Sequence, residues 1–396
     1  MNRSYKYLLK PTTEQQATLN QWFGCARWIW NAMLAANIAE YATSKKFVWA
    51  YAFNNQIPQL KKQNPWLADI PSQALQQRCI DLQKSLKRTS RSRTKRSGFP
   101  HFKSKRNNTQ SLRIPQQNKQ IKVTDQHIHI PKMGKIKWVY HRPVQGVVKS
   151  VTIKLHNDRY WVVVACELPN TTPLPIDRAT CVGIDLGLTT FAVLSDGKEI
   201  ATPKLYRSKQ AKLKRAQQRL ARKQKSSANR RRALKQVRRI HERIANQRHN
   251  FIHQHSRQIA NAYSGVYVEN LDIESIKQRY GKSTSDQGWA MFVSALAYKC
   301  NHLGRIDRWA ASTQTCSGCG AVHQLTLSDR EIICDCGLHL SRDLNAARNI
   351  CIWGQLSTDV ALFSNTSGTG EIHACGDMSQ SLDCSAQEAA QSLDSQ

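Results

Sequence analysis

Acids are scarce in this chain: 27 Asp and Glu stand against 59 Lys and Arg in 396 residues, a formal charge of +32. Solubility needs far less, so the shortage excludes a balanced, bland surface and points to a polyanionic partner. Long apolar runs are lacking too. The longest are strand-length, which argues against a membrane-spanning helix, and Met1-Asn2-Arg3-Ser4-Tyr5-Lys6 opens without a signal-peptide core. The twelve cysteines are therefore expected in a reducing cytoplasm, as thiols or metal ligands rather than disulfides. Other absences are local. Residues 84–106 hold ten Lys or Arg and no acid, and residues 204–257 hold nineteen against the single Glu242. No Gly or Pro occurs from 204 to 264, and residues 354–396 carry six acids but no Lys or Arg.

The stretch without Gly or Pro reads as a hairpin of two long helices broken at Ser226-Ser227. Leu213, Leu220, Val237, Ile244, Phe251 and Ile259 give it a thin apolar stripe. Arg215, Arg219, Arg222, Arg231 and Arg238 are candidate phosphate contacts on the remaining faces, and such contacts make binding strongly salt-dependent. The acidic end, rich in Ser, Gly and Gln, is expected to be disordered.

Among so few acids, three have settings that suit a divalent metal. Asp185 in Gly183-Ile184-Asp185-Leu186-Gly187 and Glu269 in Val268-Glu269-Asn270-Leu271 each end a short apolar run of the buried-strand kind. Asp343 precedes Leu344, Ala347 and Ile350 at helical spacing, so a helix would present it in the first turn, where its charge suits the dipole. An ionised acid beside a hydrophobic core must be paired or metal-bound. Mg²⁺ takes hard oxygen ligands, and three such acids could hold two ions about 4 Å apart for phosphodiester hydrolysis. Gly183 and Gly187 leave room for a backbone or a phosphate, and residues 188–198 read as a further strand and hairpin turn.

Cys316-Ser317-Gly318-Cys319-Gly320 and Cys334-Asp335-Cys336-Gly337 are laid out like a zinc ribbon. The second pair has one intervening residue where two is usual. Cys334 is thus expected to bind with strain, or to yield to Asp335, His339 or His323. Cys25, Cys79, Cys166, Cys181 and Cys300 lie in apolar settings and are assigned to cores, whereas Cys351, Cys375 and Cys384 carry no signal.

A strand over 5–9 is followed by a helix start at Pro11-Thr12-Thr13-Glu14-Gln15, with Thr12 and Gln15 spaced as a capping box. Leu19, Phe23, Ala26, Trp30, Met33 and Leu34 then recur at helical spacing, as core rather than base-stacking residues, and 56–87 reads as two helices parted by Pro65 and Pro71. From 109 to 167 the period falls to two, giving strands around Ile121, Ile128, Val151 to Leu155 and Tyr160 to Val164, with His156-Asn157-Asp158 as a turn. A small β-barrel joined by the N-terminal strand is expected, and residues 169–178 form a proline-rich linker.

These features resemble the TnpB family, transposon-encoded RNA-guided nucleases similar to compact type V CRISPR effectors. The marks are residues 5–11 with Gln15; Phe23-Gly24-Cys25-Ala26-Arg27 with Asn31; Gly98-Phe99-Pro100-His101-Phe102-Lys103; Gly183-Ile184-Asp185-Leu186-Gly187; Glu269-Asn270-Leu271; Thr315-Cys316-Ser317-Gly318-Cys319-Gly320; and residues 342–350. Together they cover residues 1–353. The resemblance implies an α/β and α+β multidomain chain. A wedge-like β-barrel would take 1–10 and 109–170, and a helical recognition lobe 11–108. An RNase H-fold, RuvC-like nuclease domain would take 179–311 and 338–353, with a zinc ribbon inserted at 312–337 and the acidic tail at 354–396. It carries Asp185, Glu269 and Asp343 over as catalytic Mg²⁺ ligands and Cys316, Cys319 and Cys336 as zinc ligands, with Cys334 as the departure.

As partners the resemblance implies a guide RNA from the transposon end, one protein per RNA, and target double-stranded DNA, with no membrane. A short target-adjacent motif would be read by the lobe and barrel, where Arg27, His101 and Lys103 lie in suitable segments, while base pairing reads the target. The setting would be a prokaryotic cytoplasm, at the nucleoid. Two other readings use the same residues. A nuclease-silent, RNA-guided DNA-binding regulator should have lost a carboxylate, and none is lost. A DNA transposase could use similar acids, but the RNA-binding-like helical lobe and the lack of a recognisable separate DNA-binding domain at either end argue against it. With no second nuclease motif visible, a single RuvC-type site would have to cut the strands in turn.

Overall fold

The computed structural model describes residues 2–91, 98–105, 109–169, 174–271, 278, 288–307, 309–326 and 328–361. The chain divides into two units, Met1–Thr171 and one beginning at Thr172.

In the first unit, β1 (Asn2–Lys10) leads into α1 (Thr13–Ser44). The capping box forms as expected: Gln15 N–H donates to Thr12 Oγ1 and Thr12 N–H to Gln15 Oε1. Leu19, Phe23, Ala26, Trp30, Met33 and Leu34 are all buried. Helix α2 (Ala50–Gln63) starts earlier than the sequence suggests and carries Pro58 inside it. Phe53 and Ile57 supply its buried face, and that packing outweighs the lost backbone donor. A 3-10 turn (Pro65–Ala68) and α3 (Ser72–Arg91) follow, parted by the two prolines as expected.

Strands β2 (Thr109–Pro115), β3 (Lys122–Val123), β4 (His127–Ile130), β5 (Gly134–Val139), β6 (Val147–His156) and β7 (Arg159–Glu167) join β1 in one antiparallel sheet, ordered β2-β6-β7-β1-β5-β4-β3. Tyr160, Val162, Val164 and Cys166 alternate inward along β7. Asn157 and Asp158, both at positive φ, make the tight β6–β7 turn. In place of a closed barrel, no ladder joins β2 to β3 among the described residues. Gln116 bridges that gap with its side chain, its Nε2 donating to the Ile121 carbonyl and its Oε1 accepting from the Ile121 N–H.

The second unit is built on β8 (Cys181–Asp185), β9 (Thr190–Leu194), β10 (Glu199–Ala201), β11 (Gly265–Glu269) and β12 (His302–Ile306), ordered β10-β9-β8-β11-β12. The β9 pairings are antiparallel, while β8, β11 and β12 run parallel. Helices α4 (Leu205–Ala221) and α5 (Ala228–Ala262) form the expected hairpin, and Ser227 Oγ caps α5 by accepting from the Arg230 N–H. The lower half of α5 packs Ile252 and Ile259, with Phe292 and Leu296 of α6 (Trp289–Lys299), on Val182, Ile184, Val266 and Val268. Its upper half packs on α4, through Leu213, Ala216, Val237, Ile240 and Ile244.

The opposite sheet face receives α7 (Arg342–Ala361), which follows a small hairpin of β13 (Glu331–Ile333) and β14 (His339–Ser341). A Cβ on Gly183 would stand 2.1 Å from the Ala347 carbonyl oxygen, so glycine is what lets α7 lie on β8. Gly354 meets the Tyr267 ring in the same way. The helix runs on past Gly354 to Ala361, which corrects the expected start of the tail at 354; residues 362–396 lie outside the described residues. Residues 170–173 of the expected linker do too, whereas Leu174 is tied at both backbone groups to the Asn301 side chain.

Candidate active site and metal centre

Strand alternation decides which way each acid points. Val182 and Ile184 face α5 and α6, so Cys181, Gly183 and Asp185 face α7. On β11, Val266 and Val268 face α5 and α6, so Tyr267 and Glu269 face α7 as well. Parallel pairing matches Tyr267 with Gly183 and Val268 with Ile184. The next pair along is Glu269 beside Asp185, on strands about 4.8 Å apart. Both sit at carboxyl ends of parallel strands, where open α/β sheets bind ligands. Asp343 comes to the same edge in the first turn of α7.

The electrostatics register the cluster. Burial, and then the charges of Asp343 and Glu269, push the Asp185 carboxyl from 3.8 up to about 7, against the opposing pull of the Leu186 N–H and Arg342. Burial raises Glu269 also. A buried carboxyl raised by two neighbouring carboxylate charges belongs to the kind of donor set that a hard divalent cation relieves, so this edge fits such an ion. Gly183 and Gly187, read as room for a backbone or a phosphate, are approached by backbone: Gly183 by α7, and Gly187 by the Thr190 carbonyl, 2.8 Å from where a Cβ would stand.

The four cysteines converge, their Sγ atoms all within 4.8 Å of one another. Cys316 and Cys336 are 3.7 Å apart, Cys319 and Cys334 3.5 Å. Four thiolates around one Zn²⁺ would stand roughly 3.8 Å apart. The short Cys334-Asp335-Cys336 spacing works because the chain turns immediately: Gly337, at φ 86°, donates its N–H to the Cys334 carbonyl. Asp335, His339 and His323 stand outside the group, and His339 pairs with Glu331. Burial raises the Cys316 thiol, but the Cys319 and Gly318 N–H groups and the thiols of Cys334 and Cys319 outweigh it and bring it down, while Cys334 and Cys336 in the same group are pushed up, so the cluster favours one thiolate before a metal displaces the remaining protons.

In the first unit, Arg27 donates to Gln110 at 2.7 Å. Trp30 Nε1 donates to the His101 carbonyl, and Asn31 pairs with both backbone groups of Lys103, whose ammonium lies 3.7 Å from the Trp30 ring centre. These bonds fasten residues 101–103 to α1 and leave His101 and Lys103 exposed. In the second unit Arg215, Arg219, Arg222 and Arg231 are exposed and Arg238 is half-buried. Sequence reasoning missed a cleft of about 240 Å³ between α4 and α5, lined by Lys209, Lys212, Gln236, Arg239, Ile240 and Arg243. It missed Asn345 and Asn349 as well, both buried and both bonded to backbone beside Cys316. Polar residues on the buried face of a helix that opens on a carboxylate were the available signal.

Family models match three segments: "Probable transposase" over residues 163–279, "Helix-turn-helix domain" over 1–46, and "Cas12f1-like, TNB domain" over 289–350. The 1–46 segment here is one strand followed by one 32-residue helix. A Streptomyces pristinaespiralis protein named "Putative RNA-guided DNA endonuclease" is 33% identical over 89% of this chain and 90% of its own. InsQ of Escherichia coli K12, which bears the same description, is 28% identical over 96% and 95%. A solved Cas12f1-sgRNA-target DNA complex shares the fold, with a TM-score of 0.52 at 16% identity over 86% of this chain and 83% of that one.

Proposed function

The chain belongs to the TnpB family, and from that membership we propose that it is an RNA-guided DNA endonuclease whose phosphodiester hydrolysis takes place at Asp185, Glu269 and Asp343. The observation that carries this assignment is the meeting of Asp343 and Glu269 with the buried Asp185, whose carboxyl their charges raise, at one edge of the β8–β11 sheet in a chain of formal charge +32. These three residues would hold two Mg²⁺ ions, which when bound activate a water and stabilise the leaving oxygen. The protein's part is to bring the acids together and align them. Arg342 beside Asp343 favours the ionised form of Asp185, and α7, seated on Gly183, carries Asp343 to the sheet edge.

The sheet order supports an RNase H-fold, RuvC-like domain over 179–311 and 338–353. The four-cysteine group, with a spacing that fits Zn²⁺, supports a zinc ribbon at 312–337. The exposed arginines of α4 and α5 would hold phosphates of a structured guide RNA from the transposon end and of the target DNA. The segment held by Trp30 and Asn31 would meet the target-adjacent motif through His101, Lys103 and Arg27. A helical lobe at 11–108 and a wedge-like domain at 1–10 and 109–170 complete the proposed division.

Plasmid cleavage tests this. Protein co-expressed with the RNA transcribed beside its gene should cut a guide-matched target behind a randomised flank, and Asp185→Ala should abolish cutting while guide-dependent DNA binding remains. Cleavage that survives Asp185→Ala would refute the site. DNA-end joining in place of hydrolysis would favour transposase chemistry.

A further inference from the structure

Helix α7 carries Asp343 in its first turn, and the four-cysteine module holds that turn from several directions. Strand β14 ends at Ser341 and α7 begins at Arg342. The Arg342 N–H donates to the Arg330 carbonyl at 2.8 Å and its Nη1 to the Thr326 carbonyl at 3.1 Å, while its Nε lies 4.0 Å from Asp343 Oδ1. Two residues further on, the fully buried Asn345 accepts the Ser317 N–H at 2.8 Å and donates to the Thr315 carbonyl at 2.7 Å. Asn349, 2% exposed, donates to the Ser312 and Thr315 carbonyls at 2.8 and 2.6 Å. Cys316 sits between the two backbone groups that Asn345 holds.

A buried amide with both ends paired, as in Asn345, specifies one arrangement, and the Asn349 amide adds two donated bonds to the same backbone; any shift strands a polar group away from water. The module has a small core of its own, Ile332 and two cysteines flanked by Leu325, Leu338 and Leu340. A core of that size takes its shape largely from a bound metal. A ligand carboxylate, in turn, must be held within about 0.5 Å of its working position.

We propose that Asn345 and Asn349 are positioning residues that couple the four-cysteine group to Asp343, so that metal held by the thiolates tightens divalent-cation binding at the carboxylates. This rests on the reading of Asp343 as a metal ligand. The coupling is reciprocal, since linkage between two binding sites must be.

Mn²⁺ titration of the RNA-free, full-length chain, followed by the electron paramagnetic resonance of free Mn²⁺, tests the proposal with zinc content and melting temperature read on every sample. Asn345→Ala should retain zinc and fold yet bind Mn²⁺ about tenfold more weakly, the loss typical when an outer support of a metal ligand is removed. Asn349→Ala, a turn further from Asp343, should show a smaller loss in the same direction. A purely structural role would lower the melting temperature of either variant and leave Mn²⁺ affinity unchanged. Wild-type affinity in the folded variants, with binding weakened in Asp343→Ala, would overturn the coupling and leave the active-site reading standing. Wild-type affinity in Asp343→Ala would remove both. Should neither asparagine variant fold, zinc withdrawal from the wild-type chain decides instead: unchanged Mn²⁺ affinity refutes the proposal.

Discussion

At the scale of single residues, the protonation of Asp185 has a consequence for the whole chain. Its carboxyl holds a proton up to about pH 7 when folded, against 3.8 ordinarily. Between those values the folded state binds more protons than the unfolded one, so stability without divalent cation should fall as pH rises from about 4 to about 7. Melting temperatures measured across that range in chelator should decline, and Asp185→Asn should flatten the decline. Mg²⁺ should restore stability at the upper end, because it binds only the folded arrangement. The thiol group makes a parallel prediction. Cys334→Ser removes one of four converging sulfurs, so elemental analysis should find zinc lost; full zinc content would mean that the short Cys334-Asp335-Cys336 turn is not part of the site. The acids themselves were legible because charge beside an apolar run is anomalous. Asn345 and Asn349 offered only a weak signal, polar side chains on the apolar face of the Asp343 helix, and their role shows only once their partners, about thirty residues away in sequence, are known.

Among the elements, α7 on β8 is the most constrained contact. Gly183→Ala would place a Cβ 2.1 Å from the Ala347 oxygen and 2.5 Å from the Cys351 nitrogen, both backbone atoms that cannot rotate away. Overpacking of this kind costs about 1–3 kcal/mol. Denaturant titration should record that loss, and cleavage should fall with it because Asp343 moves with the helix. Wild-type stability and cleavage in Gly183→Ala would mean that α7 yields freely. The α4–α5 hairpin was readable from absence alone, since no residue between 204 and 264 other than the Ser226-Ser227 break opposes a helix. Helix α2 was harder. Its Pro58 argues locally for a break, and only the buried contacts of Phe53 and Ile57 on either side override it.

For the whole molecule, the charge of +32 makes a prediction about association. Guide-RNA affinity should fall steeply with salt, log K against log salt being linear with a slope set by the phosphates neutralised. Replacing Arg215, Arg219, Arg222 and Arg231 by Gln should make that slope shallower by roughly 3, at about 0.7–0.9 per contact. An unchanged slope would remove these four from the interface.

Sequence by itself determined the partner class, the helix hairpin, the capping box, the cysteine pairs and the family. Each is written in composition, local periodicity or short spacing, which physics reads without knowing the fold. Tertiary structure alone decided that Asp185 and Glu269 share one face, since that follows from strand register and not from either segment. It alone turned the expected barrel into a sheet bridged by a glutamine side chain, and it alone brought Cys334 into the sulfur cluster and Asn345 against the knuckle. Those outcomes depend on which distant backbone groups meet, and pairing over a hundred residues leaves no periodic trace in the chain.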